Sequence, residues 1–167
     1  MSINTIISKL FVGLDIVDTP EPGYYTWADG KGKIFLEPQE GDRQIHIWFV
    51  KSPGGDNKVL RSITRLYYIT QVLGWELSLT AHTYEQDFGI QYWPKLGFDG
   101  VANRNTKNGV EDIFVSEYTP RQLSRVSGNI PMTLIHPETL YQRYLDKVGV
   151  SHQVMEAEFY DYVERSL

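Results

Sequence analysis

Apolar and polar positions along this chain follow two different periods, and each change of period marks an element. Ile3, Ile6, Ile7, Leu10 and Phe11 recur at helical spacing, which predicts a first helix capped by Ser2. Pro20 and Pro22 interrupt that pattern, and period-two segments follow. These are Tyr24 to Ala28, Ile34 to Glu37 and Arg43 to Lys51, joined by the turns Asp29-Gly30-Lys31-Gly32-Lys33 and Glu40-Gly41-Asp42. Three strands with two short connections predict an antiparallel meander. The third is apolar on both sides, with Ile45, Ile47 and Phe49 expected on one face and Trp48 and Val50 on the other. His46 shares the face of Trp48. A strand of that kind belongs in the middle of a sheet.

The period then changes. After Ser52-Pro53-Gly54-Gly55, a helix is predicted over Asp56 to Leu73, with Val59, Leu60, Ile63, Leu66, Tyr67, Thr70 and Leu73 on its apolar face. Asp56 is the expected N-cap and Gly74 the C-cap. Trp75 to His82 reads as another strand, so strand, helix and strand predict a right-handed crossover with parallel pairing. Asp99 to Asp112 has no apolar period and is expected to be a surface loop. Beyond it come a short strand at Ile113 to Val115, a short helix from Thr119-Pro120 closed by Gly128, and a last strand at Met132 to Ile135. A helix is predicted over Pro137 to Val148, ended by Gly149, with Leu140, Tyr144, Leu145 and Val148 inward. A final helix starts at Ser151. No repeat, low-complexity tract or linker divides the chain, so a single domain over residues 1–167 is expected.

Composition narrows the function classes. A net charge of −5 argues against general affinity for nucleic acid or anionic membrane. There is no cysteine, which excludes disulfides, thiolate nucleophiles and thiolate metal sites. The four histidines lack ligand spacing, so no metal site is expected. No apolar run is long enough to span a membrane, and Met1 to Val12 lacks the features of a secretion signal. A cytoplasmic protein is the expectation. The sequence leaves the oligomeric state open.

From Tyr24 to Phe98 the chain resembles the acyl-coenzyme A-dependent N-acyltransferases of the GNAT superfamily. The residues that carry the resemblance are the meander, the long strand, the glycine turn into a helix, the next strand, and Tyr92-Trp93-Pro94-Lys95-Leu96-Gly97-Phe98. The resemblance implies an α/β (α+β) fold: a mixed central sheet with an antiparallel N-terminal meander and flanking helices. It implies transfer of an acetyl group from acetyl-coenzyme A to an amine carried by a small molecule or a protein. In that family the central strand splays from its neighbour and leaves backbone groups for pantetheine. The turn after it aims amides at the pyrophosphate. Carried onto this chain, the cofactor contacts are Phe49, Val50, Gly54, Gly55, Asn57 and Lys58, with Arg61 adding positive charge.

The chemistry needs a base for the acceptor ammonium and an acid for the leaving thiolate. His46 and His82 are the candidate bases, because imidazole titrates near neutral pH. Glu85, acting through water, is a further one. The family often places its acidic tyrosine where this chain has Trp93, whose indole cannot serve. Tyr92 beside it is the candidate acid, with Tyr84 as another source. The glycine loop also departs from the family's usual spacing, and Asp56 puts a carboxylate beside the expected pyrophosphate. A second expectation therefore stands: a catalytically inactive module of the same fold whose aromatic cleft binds a partner. A phage or mobile-element protein acting on a host factor is one form of it.

Overall fold

The computed structural model describes residues 3–10, 16–28, 30–51, 57–82, 90–123, 129–154, 156–157 and 160–161. Helix α1 (Ile3–Leu10) leads into β1 (Ile16–Asp18), β2 (Tyr24–Trp27), β3 (Lys33–Gln39) and β4 (Gln44–Lys51). Next come α2 (Lys58–Leu73), β5 (Glu76–His82) and a 3-10 turn at Trp93–Leu96. The remainder is β6 (Phe98–Asp99), β7 (Val101–Thr106), β8 (Gly109–Phe114), α3 (Pro120–Leu123), β9 (Asn129–Leu134) and α4 (Pro137–Val148). The order in the main sheet is β1-β2-β3-β4-β5-β9-β6. The sheet is mixed: β4 and β5 run parallel, and the other neighbours run antiparallel. This is the mixed α/β architecture, with an N-terminal meander and flanking helices, that the sequence pattern predicts. The meander has one strand more than expected, the three-residue β1. The expected third strand is β4, fourth of seven in the sheet.

One face of the sheet carries the core. In register across four strands, Leu36, Ile47, Leu79 and Met132 line up, all buried. Helix α2 packs on β5, with α1 and α4 against it. It is therefore buried beyond a single stripe: Tyr68, Ile69, Ser62 and Thr64 are enclosed along with the predicted Val59, Leu60, Ile63, Leu66, Tyr67 and Thr70, while the predicted Leu73 is half-buried. Thr64 and Thr70 satisfy their hydroxyls on the helix's own Leu60 and Tyr67 carbonyls. Leu145, expected inward on α4, is exposed, while Leu140 and Tyr144 form the buried side of that helix.

Strand β4 does not keep its alternation. Phe35 pairs with Phe49 but Leu36 pairs with Ile47, so Trp48 is an extra residue with no partner on β3. This bulge corrects the expected faces. Ile45 and Ile47 are buried as predicted, but Val50 joins them in the core and Phe49 turns outward. Trp48 and Phe49 are 47% and 42% exposed side by side. A strict period of two cannot reveal such an insertion.

The expected loop over Asp99 to Asp112 is also corrected. It holds β6 and most of a two-stranded hairpin, β7 with β8, turned by Lys107 and Asn108 between Thr106 and Gly109. Gly109, the first residue of β8, has φ +118, a conformation that favours glycine where the chain leaves the turn. The N-cap of α2 is Asn57, in the left-handed region at φ 53, whereas Asp56 lies outside the described residues. Among the described residues no helix is long and apolar enough to cross a membrane.

Candidate functional site

The second face of the sheet is polar and partly open. One row crosses it in register, a residue from each of five adjacent strands: Glu37, His46, Ser78, Thr133 and Asp99. Each belongs to the set of alternate positions left over after the core face is filled. No two of these residues lie near each other in sequence except through the sheet.

The row contains two hydrogen-bonded clusters. In the first, His46 Nδ1 lies 2.9 Å from Ser78 Oγ, and the imidazole meets the edge of the Trp48 ring at 4.4 Å between centroids. Trp48 Nε1 donates to Glu37 Oε2 at 3.1 Å, and Gln39 Nε2 donates to the other oxygen of Glu37 at 3.3 Å. His46 Nε2 is buried without a hydrogen-bond partner. An orphaned buried N–H costs more than an orphaned lone pair. The satisfied tautomer therefore has Nδ1–H donating to Ser78 and a bare lone pair on Nε2. Burial holds the imidazole below its ordinary pKa, partly opposed by the carboxylate of Glu37.

In the second cluster, Asp99 is buried and its carboxylate is fully engaged. Oδ1 accepts the backbone N–H groups of Gly100 (2.9 Å) and Ser116 (3.1 Å), and Oδ2 takes the Ser116 hydroxyl and His136 Nε2 (2.9 Å). Burial alone would raise the Asp99 pKa. The Ser116 hydroxyl, His136 and the two amides outweigh it and hold the carboxyl below the ordinary value. In the sequence His136 is simply the residue before Pro137, where α4 opens. Here it ties the start of α4 to the foot of the β7–β8 hairpin, a link between residues 37 and 17 positions apart that no local pattern reveals.

The strands fork at the first cluster. The β4–β5 pairing runs through Gln44–Glu76, Ile45–Leu77, His46–Ser78 and Ile47–Leu79, and no later pair joins them. Yet β4 continues to Lys51 along β3, and β5 continues to His82 along β9. The bulge at Trp48 stands at the point of divergence. Helix α2 is the next element after β4, and its N-cap Asn57 makes no side-chain cap hydrogen bond while its first turn has no acidic residue. Arg61, in that turn, has its Nε buried without a partner.

Of the residues expected at the site, His46, Phe49 and Val50 lie along β4 at the fork, Val50 with its side chain in the core. His82 ends β5 opposite Asn129. Its side chain, Tyr84, Glu85, Gly54 and Gly55 lie outside what is described. Asn57 spends its side-chain amide on the Lys147 carbonyl at 3.0 Å, and Lys58 opens α2. Tyr92 is not joined to His46. It packs against the Trp93 ring, and burial pushes its hydroxyl up to about 12, opposed by Arg143. Trp93 is buried edge-on to Phe98, as a packing residue. A separate surface cavity of about 480 Å³ lies against α4, lined by Lys95, Arg143 and Lys147 with Glu138 and Asp146, so its charges nearly cancel. No protein-family model matches the chain, and no curated protein or solved structure matches it.

Proposed function

We propose that the protein is a GNAT-like N-acyltransferase that moves an acetyl group from acetyl-coenzyme A to an amine. The observation that carries this reading is the fork between β4 and β5 after the Ile47–Leu79 pair, with the Trp48 bulge at its origin. A strand edge released from its neighbour offers backbone N–H and C=O groups to an amide-bearing ligand. The start of α2 supports the same reading. The positive end of the helix dipole and the Nε of Arg61, which has no hydrogen-bond partner among the described residues, suit an anion such as a pyrophosphate.

Coenzyme A would supply a thioester, an acyl group on a good leaving thiolate. The chain's own contribution to the chemistry is His46. With Nδ1–H held by Ser78, its Nε2 is the proton-accepting atom, and its lowered pKa keeps it neutral at pH 7. Nε2 is buried, so proton transfer requires a movement that opens it to the acceptor. Tyr92, protonated over the physiological range, is not joined to the His46 cluster, and the acid is left to another group.

One observation favours the alternative, a non-catalytic module of the same fold: Trp93 fills the tyrosine position as a buried packing residue. Calorimetry separates the two. Coenzyme A should bind the unmodified chain, and Gly55→Asp, in the turn that the resemblance assigns to the pyrophosphate, should weaken binding at least tenfold, about 1.4 kcal/mol. No heat at millimolar coenzyme A ends the enzyme reading and leaves the module.

A further inference from the structure

The polar face continues past the fork toward the end of β4, and there the register does something unfavourable for the protein alone. Lys33 on β3 pairs directly with Lys51 on β4. Both are exposed, and neither has an ion-pair partner among the described residues. Like charges directly opposite each other on a sheet repel. An anion seated between them turns that repulsion into attraction.

The next rung on the same face is aromatic. Tyr24, Phe35 and Phe49 stand in register on β2, β3 and β4. The Tyr24 and Phe35 rings stack at 4.2 Å with 12° between their planes. Phe49 is brought to this face by the bulge and is 42% exposed. Two residues of strand, roughly 7 Å, separate the lysine rung from the aromatic rung. That is comparable to the reach of a ribose between a base and its phosphate. Beyond the aromatic rung lies Glu37, so the strip has a cationic end, a ring platform and an anionic end. The order sets the ligand's direction, with its phosphate away from Glu37.

We infer that this strip binds a nucleotide, with the phosphate between Lys33 and Lys51 and the base on the Phe35 and Phe49 rings. Stacking on aromatic side chains and lysine contact to phosphate are general modes of nucleotide recognition. The 3′-phosphoadenosine end of coenzyme A and a free mononucleotide share this chemistry. The inference does not depend on the acyltransferase reading.

The full chain is titrated with adenosine 3′,5′-bisphosphate, with adenosine and inorganic phosphate as the ring-only and charge-only controls. The bisphosphate should bind at least tenfold more tightly than either control, and more weakly as salt rises. The double variant Lys33→Ala/Lys51→Ala should lose at least tenfold in affinity with no fall in its unfolding midpoint, since a repulsion has been removed. Phe49→Ala should lose affinity as well. Equal binding by the unmodified chain and the double-lysine variant overturns the inference, as does adenosine binding as tightly as the bisphosphate. Coenzyme A is the separating arm. If it binds and the lysine changes leave that binding unaltered, its nucleotide end lies off the strip and the acyltransferase reading stands, while the strip stands or falls on the bisphosphate alone. If the bisphosphate binds through the lysines and millimolar coenzyme A gives no heat, the strip stands and the acyltransferase reading falls.

Discussion

Gly97 and His136 meet backbone to backbone. The Gly97 carbonyl accepts the His136 N–H at 3.0 Å, and the place where a Cβ on Gly97 would stand is taken by the His136 carbonyl oxygen. Gly97 also closes the Trp93–Leu96 turn at φ +92. A side chain there meets both a strained backbone and fixed neighbouring backbone. Gly97→Ala should cost about 2–3 kcal/mol, read as a shift of the urea midpoint at unchanged slope. A shift below a few tenths would remove this account.

Asp99 should make stability depend on acid. Its folded pKa lies below the ordinary 3.8, so the stabilisation is present above that value and is lost as pH falls through the folded pKa. Asp99→Asn should lose about 1–3 kcal/mol at pH 7, because a charged acceptor of four hydrogen bonds becomes a neutral amide. The variant's stability should also fall less steeply below pH 4. Denaturant titrations of both proteins between pH 7 and pH 2 test it, and parallel curves would count against it.

If His46 is the base, acetyl transfer should have an acid limb below pH 6.5. The neutral imidazole is the active form, and its pKa is lowered from that value. His46→Gln should lower the rate by about 10²–10⁴ and abolish the limb. Ser78→Ala should change which ring nitrogen carries the proton, an outcome visible in the nitrogen chemical shifts of His46 even without substrate. An acid limb that persists in His46→Gln would assign the base elsewhere.

Deleting Trp48 should leave the fold standing. With Trp48 absent, Phe49 follows Ile47 and points outward, and Val50 still points into the core, so the alternation that buries Ile45, Ile47 and Val50 survives. Circular dichroism should be native-like, while coenzyme A binding should weaken at least tenfold, because the fork starts at the bulge. Global unfolding of the deletion variant would show that Trp48 holds the sheet together rather than shaping its opening.

Much of the fold was legible because local periods are strong where one face is buried. Helix α2 was legible from Val59 to Thr70, and α4 coincides with its predicted bounds because Pro137 opens it and Gly149 closes it. The glycine at 97 and the buried Phe98 were legible from their order alone. The site was legible only in part. His46 stands out as a histidine inside an apolar strand, but Ser78 looks like an ordinary strand serine until the sheet puts it opposite. The bulge escaped because the extra residue, Trp48, is apolar inside an apolar run, so nothing marks the point where the facing of Phe49 and Val50 reverses. Asp99, Ser116 and His136 escaped because their partnership spans a hairpin read as loop.

The place of β9 between β5 and β6 also governs how the chain reaches this state. β6 has two residues and, among the described residues, pairs only with β9, so it has no ladder until residues 129–134 emerge during synthesis. Until then β5 presents a bare edge on the side that β9 will cover. The meander, α2 and β5 can assemble first from near neighbours in the chain. Closure waits on a contact about 50 positions away in sequence, which slows folding and leaves an aggregation-prone edge exposed in the interval. Chains released before Asn129 would keep that edge permanently.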